Sequence, residues 1–330
     1  MKRFLLVVSV ILLTGALLCP NASAHYLSVN ADKYFPKVGE EITISLGMEH
    51  QFPAKESCEV EKMEKMYVIG PDGKQIDLKM MPEGEKKLVA PIKIKFDKPG
   101  TYLVVAEKKK GFVTKTTDGY QQKSKKELKN VVKSYWSEGH AKAIIVVGKP
   151  SGNAAQKSVG WRFQVIPSAD PGTLKKGDAL NAAVTLDGKP LDTEVSATYA
   201  GFSAEKDIFA QKAKTDKGSA KIELSSSGVW LIKANHSMPY SNLEEADEHS
   251  FTSSVTFGAS EKTIENNFYS CYSVSCKKNT RAKQPDIEKT GRQRVRDIFW
   301  RFGTTKWQRS CRRLCFPIFF RESGKYIGKA

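Results

Sequence analysis

From residue 25 to about residue 258 the chain reads as short runs of apolar residues separated by turn residues, many alternating with polar ones, the pattern of β-strands. Glu41-Ile42-Thr43-Ile44-Ser45-Leu46 alternates with period two after Lys37-Val38-Gly39. Met66-Tyr67-Val68-Ile69 runs into Gly70-Pro71-Asp72-Gly73, where proline presets φ and glycine accepts positive φ, and residues 75–80 run out again as a hairpin partner. Residues 92–96 and 101–106 flank Asp97-Lys98-Pro99-Gly100 in the same way. Residues 127–136 break the alternation, with Leu128, Val131, Val132 and Tyr135 on one helical face, which predicts a short helix. Residues 143–147 are apolar throughout and read as a buried strand that closes the first half.

A small, polar stretch over residues 150–159, with Pro150 and Gly152, predicts a linker. Strand patterns resume at 161–166, 180–186, 195–199, 220–224, 229–234 and 250–257. Gly100-Thr101-Tyr102-Leu103-Val104-Val105-Ala106 aligns without gaps on Gly228-Val229-Trp230-Leu231-Ile232-Lys233-Ala234. Together these predict an all-β chain of two tandem β-sandwich domains, immunoglobulin-like or transthyretin-like, over 25–149 and 160–258, with a short helix in the first.

The ends differ from this body. Lys2 and Arg3 precede an apolar run to Cys19, and Ala22-Ser23-Ala24 has the small-x-small form of a cleavage site, so residues 1–24 are expected to be a secretory signal. The mature chain would then begin at His25, in the periplasm. The net charge of +17 would suggest a nucleic-acid partner, but it is unevenly spread: +2 in the signal, +4 over residues 25–260 and +11 over 261–330. Arg162 is the only arginine in the body. Cysteine follows the same division, with Cys58 alone in the body and Cys271, Cys276, Cys311 and Cys315 in the tail. Residues 259–330 are therefore read as an irregular basic tail, poorly packed, of the kind a shifted or fused reading frame would add. Export argues against nucleic acid as a partner.

No phosphate loop, dinucleotide fingerprint, nucleophile elbow or HExxH sequence occurs, which points away from an enzyme. What remains is a set of histidines. After cleavage His25 would carry a free α-amine beside its imidazole, and the two nitrogens can close a chelate ring on Ni²⁺, Co²⁺ or Cu²⁺. His50 follows Met48 and Glu49 at the end of a strand, His236 stands just after another, and His249 ends the acidic run Glu244, Glu245, Asp247, Glu248. His140 reads as a surface or packing residue.

The start at Ala24-His25, then Tyr34-Phe35-Pro36-Lys37-Val38-Gly39-Glu40, Glu49-His50-Gln51-Phe52-Pro53, Thr117-Asp118-Gly119-Tyr120, Ala141-Lys142-Ala143 and the segment from Gly228 to His236 resemble the NikM-like family of exported proteins. The resemblance implies a periplasmic component of nickel or cobalt uptake. His25, His50 and His236 map onto family-like positions and would bind the divalent metal for delivery to separate membrane transporter subunits; His249 and Glu49 are further candidate ligands from the residues themselves. Two alternatives stay open: a copper-binding histidine brace, and a metal-free sandwich for adhesion or carbohydrate binding.

Overall fold

The computed structural model describes residues 25–54 and 56–261. The expected signal and nearly all of the expected tail lie outside these residues. The strands run, in the first half, β1 (Tyr26–Ala31), β2 (Glu41–Glu49), β3 (Met63–Ile69), β4 (Gln75–Leu78), β5 (Pro82–Glu83), β6 (Leu88–Val89), β7 (Ile92–Lys95), β8 (Gly100–Lys108), β9 (Gly111–Thr116), β10 (Gly119–Gln121) and β11 (Val131–Val147). The second half adds β12 (Phe163–Pro167), β13 (Ala179–Leu186), β14 (Lys189–Pro190), β15 (Glu194–Tyr199), β16 (Gln211–Lys214), β17 (Ser219–Glu223), β18 (Gly228–Pro239) and β19 (Glu248–Ala259). The fold is all-β, as the alternation predicts.

Its centre is a ten-stranded sheet in the order β16-β15-β18-β19-β11-β8-β3-β4, to which β9 adds beside β11 and β10 beside β9. The two halves meet inside this sheet, along a parallel ladder from Tyr135 opposite Glu248 to Ile144 opposite Phe257. This corrects the expectation of two separate sandwiches in tandem, because the described residues form one compact unit. The expected linker is also packed, with Ala154 and Ala155 buried in the core.

A small sheet covers each face of the central one. On one face β1, β2 and β7 bring Leu27, Val29, Ile42, Ile44 and Leu46 against Val104, Ala106, Ala143, Ile145 and Val147. On the other face β12, β13 and β17 bring Phe163, Val165, Leu180, Val184 and Ile222 against Leu103, Val105, Ile144, Trp230, Phe251 and Phe257. Successive residues of a strand point to opposite faces, so a strand covered on both sides must be apolar or satisfied throughout. This accounts for the unbroken burial of residues 100–106, 140–147 and 253–259.

The helix expected over 127–136 is absent. A 3₁₀ turn occupies Lys125–Glu127, and β11 begins at Val131. Two adjacent valines, a tyrosine and a tryptophan suit a pleated surface better than a helix, and both edges of the segment find partners, β9 on one side and β19 on the other.

Candidate metal site

The antiparallel register of β1 and β2 places Tyr26 opposite Glu49 and Leu27 opposite Met48. Continued by one position, the same register sets His25 across from His50. Their ring centroids are 4.3 Å apart, with the planes inclined by 50°. Both histidines owe their positions to what is buried next to them. Tyr26 packs with Phe52 and Leu231 in a small apolar cluster, which fixes the start of β1 and the turn after His50. Further along β1, Ser254 Oγ donates to the Leu27 carbonyl at 2.6 Å, and the Thr256 hydroxyl donates to the Val29 carbonyl. The strand carrying His25 is thus hydrogen-bonded by side chains of the central sheet.

Asp207 orients His50. Its carboxylate lies 3.1 Å from His50 Nδ1, and its backbone N–H donates to the His50 carbonyl at 2.8 Å. A carboxylate on Nδ1 fixes the tautomer that leaves the lone pair of Nε2 for a metal. Close by, the Lys233 ammonium sits 4.4 Å from the Tyr26 ring centre and 4.8 Å from that of Phe209. Burial lowers this amine to about 8, an effect that the Asp207 charge opposes.

His25 and His50 line a cavity of about 560 Å³. Met48, Cys58, Lys62 and Lys108 also line it, and Ser250 and Thr252 reach it from β19. Burial pushes the Cys58 thiol up and the Lys108 amine down. Sulfur donors and imidazoles therefore line the same cavity as an ammonium group.

The other expected ligands do not join this pair. His236 faces the opposite core, its ring centroid 6.2 Å from that of Phe163 and 6.4 Å from that of Phe251. His249 is on that face too, stacked 4.0 Å from Phe251, with Nε2 2.9 Å from Glu138 Oε1. Burial lowers both rings below the usual imidazole value, and for His249 the Glu138 carboxylate opposes the shift. The central sheet separates these two from His25 and His50, because Trp230, Ile232 and Ala234, on the same side of β18 as His236, pack in the core with Phe163, whereas Leu231 packs with Tyr26 on the opposite side. His236, expected to join His25 and His50, is therefore not brought to that pair, and the further candidate His249 lies apart from it as well. Glu49 has its backbone in β2, and its side chain lies outside the described residues. His140 is buried, with Nε2 2.6 Å from the Phe163 carbonyl oxygen, which fits a packing role. Among the described residues no group of three or more His, Cys, Asp or Glu is placed to share one ion.

Asp207 and Lys108 were not expected at the site. Asp207 stands 157 residues from His50 in sequence, within a polar loop that carries no periodic signal. Lys108 opens the polar run Lys108-Lys109-Lys110, which carries no motif of a site.

Residues 22–238 match the model of a domain of unknown function, DUF4198, and the chain belongs to that family. No curated protein matches the chain. Among solved structures it is similar to the three-domain immunoglobulin ectodomain of mouse nectin-like molecule 4, with 11% identity over 73% of this chain and 66% of that one and a TM-score of 0.18. Fibronectin(III)-like modules of Clostridium thermocellum CbhA match at 12% identity over 73% and 99% of the two chains, with a TM-score of 0.20. A DUF4785 protein of Legionella pneumophila matches at 10% identity over 70% and 56%, with a TM-score of 0.22. At such scores none of these bears on the function.

Proposed function

We propose that the exported chain binds a divalent transition metal reversibly through His25 and His50 and passes it to a membrane uptake system, with nickel or cobalt as cargo. The observation that carries this reading is the ring separation of 4.3 Å, with Asp207 holding Nδ1 of His50. Two imidazoles in adjacent positions on one ion, with metal–nitrogen bonds of about 2 Å, would have centroids about 4.5 Å apart. Signal cleavage after Ala24 would add the α-amine of His25, giving three nitrogen donors of the borderline type that Ni²⁺ and Co²⁺ accept. Positions left open on the ion suit capture and release better than permanent storage. No helix of the described residues is long and apolar enough to cross a membrane, so transport itself would fall to other subunits.

A second reading is copper. It is favoured by Met48 and Cys58 on the wall that His25 and His50 also line, since thioether and thiol donors select Cu(I).

Isothermal titration of the mature chain with Ni²⁺, Co²⁺ and Cu²⁺ tests both readings, repeated with His25→Ala and with one residue added before His25. Nickel or cobalt affinity should fall at least about tenfold in each altered chain, since each loses ligands to the ion. Unchanged affinity in both would overturn the reading. Retention of Cu(I) by the reduced protein, with loss on Cys58→Ser, would favour copper.

A further inference from the structure

Two imidazoles and an amine leave a square-planar ion one ligand short and an octahedral ion three short. Beside them is a cavity of about 560 Å³, the size of a site for a small organic molecule and far larger than an ion needs. Its charges are also unbalanced. Lys62 is paired with Glu59 at 2.9 Å and Lys86 with Glu56 at 3.8 Å. Lys108, which lines the same cavity and is half-buried, makes no ion pair among the described residues. Asp207 is held by His50 and close to Lys233, so it offsets only part of the charge a bound dication would bring. An isolated ammonium and a dication in one partly desolvated cavity repel each other unless an anion arrives with the metal. There is room for one: Gly139 lines the cavity without a side chain, and a Cβ there would meet only Lys108 Cδ, at 3.8 Å. Tyr120, Gln122, Ser137, Ser250 and Thr252 supply neutral hydrogen-bonding groups around it.

We infer that the cargo is a chelate, a divalent metal carried by a small amino- or hydroxycarboxylate, with the chelator's carboxylate on Lys108 and His25 and His50 filling positions on the ion. This rests on the reading of the histidine pair as a metal site and specifies what that site accepts.

Equilibrium dialysis of the full chain after signal removal tests it, using Ni²⁺ alone, radiolabelled citrate or histidine alone, and Ni²⁺ with each. The expected result is retention of label near one per chain with Ni²⁺ present and little without it. Lys108→Met should lower label retention at least about tenfold, the worth of a charge-assisted contact to a carboxylate, while Ni²⁺ alone should bind at least as tightly as to the parent chain, because a repelling charge is gone. Gly139→Leu, which narrows the cavity and leaves Lys108 in place, should reduce label retention likewise. Nickel bound while neither labelled chelator is retained beside it, label bound equally without nickel, or label unaffected by both variants would overturn the chelate inference and leave the histidine pair standing. No nickel bound under any condition would overturn both.

Discussion

Lys142 and Trp161 face each other inside the protein, the ammonium 6.0 Å from the ring centre, and neither Lys142 Nζ nor Trp161 Nε1 has a hydrogen-bond partner among the described residues. Lys142 is fully buried, and desolvation lowers its amine from 10.5 to about 7. In the unfolded chain the amine keeps its proton to near pH 10.5, whereas in the fold it loses it near 7. Folding therefore releases a proton between these values, and stability rises with pH across that window, by a few kcal/mol in order of magnitude. Below about pH 7 both states hold the proton and this contribution levels off. Lys142→Met should accordingly stabilise the protein at pH 7 by about 1–4 kcal/mol, with little gain near pH 10. Urea denaturation at the two pH values checks this, and a variant less stable than the parent at pH 7 would contradict it.

Thr256 ties β1, the strand that starts next to His25, to the central sheet. Its hydroxyl donates to the Val29 carbonyl and accepts from the Tyr34 hydroxyl at 3.0 Å, both in buried surroundings. Thr256→Val keeps the shape and removes both contacts, which should cost about 1–3 kcal/mol in urea denaturation. Because β1 also positions His25, nickel affinity should fall in parallel.

Gly47 bears on the other histidine. A Cβ there would overlap the Ala54 methyl and lie 2.7 Å from Ser28 Oγ. Gly47→Ala should push the turn that holds His50 away from β1, lowering stability by about 1–3 kcal/mol. The His25–His50 spacing would change with it, so metal binding should weaken by more than the stability loss alone explains. Titration at a temperature where the variant remains folded separates the two effects.

Cys58 is buried and its thiol is pushed up by burial. At pH 8 iodoacetamide should modify the folded chain at least about tenfold more slowly than the urea-unfolded chain, because the thiolate is the reactive form. Equal rates would mean that the thiol opens to solvent.

Much of the fold can be read from the sequence. The turns at Gly70-Pro71-Asp72-Gly73 and Asp97-Lys98-Pro99-Gly100 lead into strands where alternation puts them, and β8 and β18 open at Gly100 and Gly228, both at positive φ. What repetition cannot convey is the face. Tyr102 and Trp230 occupy matching places in the two aligned segments, yet Tyr102 packs on one face of the central sheet and Trp230 on the other. The same ambiguity hides the join between the halves, since a ladder between β11 and β19 pairs residues more than a hundred positions apart. The short helix failed because a 3.6-residue spacing over ten residues also fits a strand with both faces partly covered. At the site, His25 could be proposed from its place after the expected cleavage point and His50 from its place at a strand end, but only the β1–β2 register brings them together. His236 has an equally suggestive place in sequence, and strand parity turns it away.

The central claim is most directly tested by anomalous diffraction from crystals of the mature chain soaked with Ni²⁺, recorded at the nickel edge. The account predicts one strong peak within about 2.2 Å of a ring nitrogen of both His25 and His50. A peak at His236 and His249 on the opposite face, or none at the His25–His50 pair in crystals that bind nickel, would contradict it.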